Sequence, residues 1–202
     1  ENVTKQEYRR SDLHEREPDA TIAVGHAMPE GRVLMLDTNC AWRENEAAEV
    51  LPRLRGAGVA FVEEPTFPPE GLSRLQQLKQ QTGMRLAAGE NMNNSEEFRQ
   101  CIAQGLVDVM QPSVAKIGGI SAVLDIIAAH RANPHGTLLP HCFYYGPGLL
   151  ATAHLLSVMP QTVPLEVPWL EFEQLLHPFM RWRPQLNLPR APGLGFEPDP
   201  EV

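Results

Sequence analysis

The stretch VAFVEEPTFPPEGLSRLQQLKQQTGMRLAAGEN, residues 59–91, decides the fold. It opens on an apolar run at Val59 and breaks into polar and proline-rich turn residues. It then places Leu72, Leu75 and Leu78 at helical spacing and returns to an apolar run at Met84. This reads as strand, helix, strand. The unit recurs outward in both directions, with apolar runs starting at Val33 (VLML), Leu106 (LVDVM) and Thr137 (TLLPH), and a weaker one at Val163 (VPLEV). Between them, NSEEFRQCIAQG opens on an Asn-Ser cap signal ahead of Phe98 and Ile102. Further on, GGISAVLDIIAAHRAN sets Ile120, Val123, Leu124, Ile127 and Ala128 on one face. Such alternation predicts an α/β fold with a parallel sheet, because a crossover of roughly a dozen residues or more must carry the chain back between parallel strands.

Polar residues stand at or just after these runs: His14, Asp37, Glu63, Glu90, Ser113, His141 and Glu166, at intervals of 23 to 28 residues. That interval is about one strand-helix unit. In a parallel barrel the strand ends share one mouth and residues at this period converge there, whereas in an open sheet they form a row. Asp37, Glu63 and Glu90 offer oxygen donors with no cysteine or histidine at their own strand ends, which suits a hard divalent ion, Mg²⁺ ahead of Zn²⁺. Three carboxylates at one mouth would raise one another's pKa unless a cation neutralised them. Glu64 alternates to the side of the strand opposite Glu63 and suits a structural salt bridge under the loop.

Composition narrows the classes. The 202 residues are 43% hydrophobic and 21% charged, ordinary globular usage that argues against disorder and coiled coil. The formal net charge of −8 offers no broad attraction to phosphate backbones, so nucleic acid is not an expected partner. No apolar run approaches the roughly 18 residues of a membrane span, and the polar start ENVTKQEYRRSDLHEREPD lacks the apolar centre of a secretion signal; no membrane partner and a cytoplasmic location are the expectations. Cys40, Cys101 and Cys142 are far apart and read as thiols rather than a disulfide framework. Many of the 19 prolines lie from Pro160 onward, where they forbid long helices, so residues 184–202 read as an extended wrapping tail.

Six motifs occur in order: MLDTNCAW (Met35 to Trp42), FVEEPTFPP (Phe61 to Pro69), AAGEN (Ala87 to Asn91), MQPSVAKIGGIS (Met110 to Ser121), PHCFYYGPG (Pro140 to Gly148) and LEVPW (Leu165 to Trp169). The series resembles the barrel domain of the enolase superfamily, in its mandelate racemase and muconate lactonizing enzyme branch with the acid-sugar dehydratases, over about residues 12 to 197. The resemblance implies a TIM-like (β/α)₇β barrel that binds one Mg²⁺ through Asp37, Glu63 and Glu90. It implies proton abstraction next to the carboxylate of a small hydroxy acid, giving an enediolate that is reprotonated (racemisation) or expels a β-hydroxyl (dehydration). His141, ending the seventh strand, matches the catalytic histidine, and Glu166 matches the eighth-strand acid that bonds the substrate carboxylate. Asn39 and Lys116 match substrate-lining positions. Another metal-dependent barrel, such as an oxo-acid aldolase, would not need the E-E-P, G-E-N and K-I-G-G series.

The chain departs from the family pattern in three places. Ser113 occupies the sixth-strand position of a catalytic Asp or Lys; it can bond the imidazole or a substrate but brings no charge. SDLHERE stands where the second-strand Lys-x-Lys is expected, with Asp12 at the first lysine and His14 at the second, where His14 would act as an opposing acid. Residues 1–10 resemble neither the capping domain nor the first strand. The barrel, over 11–183, is therefore expected to be truncated, and its open sheet edges are expected to be covered in a homo-oligomer. Two functions follow: a Mg²⁺-dependent dehydratase or racemase of an acid sugar, or a catalytically impaired remnant that retains metal or carboxylate binding or serves only in assembly.

Overall fold

The computed structural model describes residues 12–67, 71–168, 186–195 and 197. Helices and strands alternate throughout the main body. The order is α1 (Asp12–Ala27), β1 (Leu34–Asp37), α2 (Glu44–Gly56), β2 (Val59–Glu63), α3 (Leu72–Thr82), β3 (Leu86–Ala88), α4 (Ser95–Gln104), β4 (Val109–Met110), α5 (Ile120–Ala132), β5 (Thr137–Leu138) and α6 (Pro147–Leu156). The five strands form one sheet in the order β1-β2-β3-β4-β5, every pair parallel. Because each unit steps to the next neighbour without reversing, the strand order has no switch point of the doubly wound kind.

Apolar side chains pack on both faces of the sheet. On the helix side Leu51, Leu54, Val62, Leu75, Leu86, Phe98, Met110, Ile126 and Leu138 form the main core. On the other side Phe61, Ala87 and Val109 form a small inner layer with Ala60 and Leu139 against them. That second layer needs apolar residues on both sides of each strand, as strands covered on two faces require. β1 and β5 are the edges among the described strands. Met35 on β1 and Val33 just before it are 41% and 63% exposed, so the inner layer is uncovered at this edge.

Local signals account for the element ends. Asn94 caps α4, its side-chain oxygen accepting from the Glu97 N–H at 3.1 Å, as the Asn-Ser signal predicts. Gly25 lets α1 lie against the end of α2: a Cβ there would stand 2.6 Å from the Ala57 carbonyl oxygen.

Two strand expectations are corrected. SDLHERE is not a strand, since Asp12, Leu13 and His14 open helix α1, which packs Ile22 onto the core and pairs Asp19 with Arg53 of α2 at 2.5 Å. A strand feeding α1 would have to lie before Asp12, outside the described residues. VPLEV carries no strand either; Pro164 within it and Pro168 just after it donate no N–H to a ladder. The described part of the tail, residues 186–195 and 197, has neither helix nor strand. The segment 1–10 and the boundary near residue 183 lie outside the described residues. Among those described, no helix is long and apolar enough to cross a membrane.

Candidate active site

The strand ends place the predicted residues at one end of the sheet. Asp37 and Glu63 close β1 and β2 and are register partners, and Glu90 follows β3 by two residues. Glu63, Glu90 and His141 each offer a ligand atom within 4.8 Å of the others, and among the described residues they are the group so arranged. Of the seven residues at that period, Glu63, Glu90 and His141 therefore come together at the strand ends. Asp37 lies beside that group rather than in it; its Oδ1 accepts from the Asn39 N–H at 2.8 Å.

Glu63 is buried, and its Oε2 accepts a 2.6 Å bond from Gln111 Nε2. Burial first, then the charges of Asp37, Glu166 and Glu90, push its carboxyl up to about 8 against the opposing effect of that bond. Asp37 is raised as well, first by partial desolvation of its carboxylate and then by the charges of Glu90 and Glu166. Carboxylates packed this closely raise one another's pKa, and a cation among them would lower it.

The backbone around these carboxylates is tightly tied. Thr38 donates its hydroxyl to the carbonyls of Glu63 and Glu64, both at 3.0 Å, and the Cys40 N–H bonds the Glu64 carbonyl at 2.7 Å. Asn39, Cys40 and Glu64 have φ of 45°, 62° and 39°, left-handed values that non-glycine residues hold only when their surroundings enforce them. Glu64 is 1% exposed, and the expected salt bridge is replaced by neutral donors: Asn91 Nδ2 at 2.6 Å and Cys40 Sγ at 3.5 Å. Asn91 also donates to Glu90 Oε1 at 3.0 Å, so one amide links the buried carboxylate to a candidate ligand.

His141 Nδ1 sits 3.2 Å from Glu90 Oε2 and 3.5 Å from Glu166 Oε2, and its ring meets Tyr144 edge-on at 5.7 Å. Glu166 is steadied by the Cys142 N–H at 2.6 Å. The expected interaction of Ser113 with the imidazole is not formed. Ser113 is wholly buried and its hydroxyl has no partner among the described residues, while carboxylates provide the charge beside His141 that a serine cannot. Lys116 Nζ lies 3.7 Å from Glu90 Oε1 and so sits against a candidate ligand. The Cys142 thiol is pushed up to about 11 by burial, which fits packing rather than nucleophilic attack. The side chain of His14 lies outside the described residues, and its backbone belongs to helix α1 rather than to a strand ending at the mouth. Asp12, the feature that counted toward an impaired remnant, loses its significance with that strand.

The sequence reading passed over Gln111, Asn91, Thr38 and Tyr144. Gln111 stands two residues before Ser113 in a motif already singled out, so alternation alone could have directed attention to it.

The chain matches the family model for enolase C-terminal domain-like proteins over residues 5–202. It belongs to the enolase superfamily. Within it, this enolase-type domain sits with the mandelate racemase and muconate lactonizing enzyme branch. An L-galactonate dehydratase from Hypocrea jecorina is 31% identical over 180 residues, which make up 85% of this chain and 39% of that protein. A 3,6-anhydro-D-galactonate cycloisomerase from Zobellia galactanivorans superposes with a TM-score of 0.82 at 25% identity, covering 93% of this chain and 54% of the other. A racemase from Streptomyces coelicolor A3(2), solved with bound magnesium, superposes with a TM-score of 0.64 at 26% identity, over 75% of this chain and 40% of its own. The chain spans about half or less of the length of the curated relatives it matches.

Proposed function

We propose that this enolase-type domain is a portion of a (β/α)₇β barrel that abstracts the proton alpha to the carboxylate of a small hydroxy acid, an acid sugar, leading to dehydration or racemisation. The observation that carries the reading is the approach of Glu63, Glu90 and His141 to within 4.8 Å of one another at the strand ends. Asp37, Glu63 and Glu90 would hold a Mg²⁺ ion; the oxygen donors suit a hard cation, and the raised Glu63 carboxyl fits a site whose charge a cation completes. When bound, the ion supplies charge neutralisation for a carboxylate whose neighbouring C–H is being ionised. The magnesium in the Streptomyces coelicolor structure supports that choice by likeness.

The protein's own groups would do the rest. With Nδ1 facing two carboxylates, His141 favours the Nδ1–H tautomer and leaves Nε2 as the basic nitrogen. It takes the alpha proton as base. It then delivers that proton to a departing β-hydroxyl, giving dehydration, whereas racemisation takes its new proton from a second donor on the opposite face of the carbon. Glu166, held by the Cys142 N–H, would bond the substrate carboxylate, and Asn39 and Lys116 would line the site. The Tyr144 phenol, pushed up to about 12 chiefly by burial, stays neutral beside these charges.

The test is incubation with Mg²⁺ and a panel of acid sugars, followed by a carbonyl reagent that reports the 2-keto product of water loss and by chiral analysis for racemisation. A product formed by the wild type and not by His141→Asn is expected. Absence of both products across the panel, in a chain that binds the cation, would overturn the catalytic reading.

A further inference from the structure

Gln111 follows β4 directly and is 4% exposed. Its backbone is pinned: the N–H donates to the Ala88 carbonyl at 3.0 Å, and it abuts Gly89, where a Cβ would come 2.9 Å from the Gln111 nitrogen. From this fixed base Nε2 reaches across the sheet to Glu63 Oε2 at 2.6 Å. The other half of the amide, Oε1, is buried without a partner among the described residues. Burying an amide with one end unpaired is unfavourable, a cost that an apolar side chain of the same length would avoid, so packing alone does not account for this residue. The Nε2 donor does account for it. A cationic partner in its place would neutralise Glu63 and repel a metal; a neutral donor fixes one carboxylate oxygen and leaves the negative charge available.

We propose that Gln111 is a positioning residue for the divalent cation: it holds one oxygen of Glu63 and so presents the other in a fixed orientation. The inference rests on the reading of Glu63 as a metal ligand. Amides and carboxylates that orient a ligand from behind are typically worth 10- to 100-fold in metal affinity.

The experiment is Mn²⁺ binding to the full chain, followed by the electron paramagnetic resonance signal of the free ion, for wild type, Gln111→Met and Gln111→Glu. Melting temperatures without metal are recorded alongside. Gln111→Met keeps the length and loses the donor, so its Mn²⁺ dissociation constant should rise about 10- to 100-fold in a chain that still folds. A merely structural role would lower the melting temperature and leave the dissociation constant of the folded chain unmoved. If Gln111→Met does not fold, Gln111→Glu carries the test: it keeps the shape, loses the donor, and should also bind more weakly. Affinity within twofold of wild type in a folded Gln111→Met, or tighter binding in Gln111→Glu, overturns the proposal. A wild type that binds no Mn²⁺ overturns the metal reading itself, and this proposal with it.

Discussion

Replacing Glu63 by Gln in the metal-free chain should stabilise it, but only at high pH. The Glu63 carboxyl is held at about 8 in the folded chain, against an ordinary value of 4.5. Below pH 4.5 it is protonated in both folded and unfolded chains and contributes nothing to the pH dependence. Between 4.5 and 8 the unfolded chain ionises while the folded chain keeps its proton, so stability falls as pH rises; above 8 the loss is complete. At about 1.4 kcal/mol per pKa unit the ceiling is about 5 kcal/mol, and relaxation of the neighbouring carboxylates reduces the expectation to about 3 kcal/mol. Glu63→Gln removes the charge and keeps an acceptor for Gln111. For a chain of this size that corresponds to a melting temperature about 6–12 °C higher than wild type at pH 9, with little difference at pH 4.5. Saturating Mg²⁺ should erase the advantage by stabilising only the wild type. The assay is differential scanning calorimetry in chelator across that pH range. A difference between the two chains that does not change with pH, or a Glu63→Gln chain less stable than wild type at pH 9, would refute the reasoning.

Three further outcomes are expected. Asn91→Ala removes the 2.6 Å bond to Glu64 Oε2 and the 3.0 Å bond to Glu90 Oε1, and it should cost about 1–3 kcal/mol in urea unfolding by leaving a buried carboxylate short of a donor; an unchanged midpoint would count against the network. Gly89→Ala should cost a similar amount, about 1–3 kcal/mol by the same assay, because φ is 137° and the new Cβ would meet the Gln111 nitrogen and the Phe98 ring at 2.9 Å; a neutral effect would contradict that close approach. With β1 and β5 unpaired along one side among the described residues and Met35 exposed, the chain should self-associate, and light scattering that shows a monomer at all concentrations would oppose this.

The alternation between Val33 and Leu138 was legible because each strand is a short apolar run and each helix carries its own apolar spacing. Even so, LVDVM yields only Val109–Met110 as strand, since Leu106 and Val107 are buried ahead of it in the turn from α4. The two ends of the fold misled for different reasons. In DLHEREPDATIAVGHA polar residues dominate, so an apparent match to a lysine motif outweighed the helix. In VPLEV the hydrophobic pattern suggested a strand that its prolines cannot complete. The carboxylates of the site could be read because they stand at strand ends. Their partners could not: the Gln111–Glu63 bond joins residues 48 apart in sequence, and the replacement of Ser113 by Glu90 and Glu166 beside His141 depends on how far the strands are staggered.

Solvent deuterium exchange at the carbon next to the carboxylate reports proton movement by His141 without requiring a finished product. Acid sugars incubated in D₂O with the chain and Mg²⁺ would be followed by proton NMR. Wild type should lose the alpha-proton signal, and His141→Asn, in a chain that still binds the cation, should exchange about 10²-fold or more slowly. Exchange that survives His141→Asn, or no exchange on any hydroxy acid by a cation-bound wild type, would contradict this role for His141.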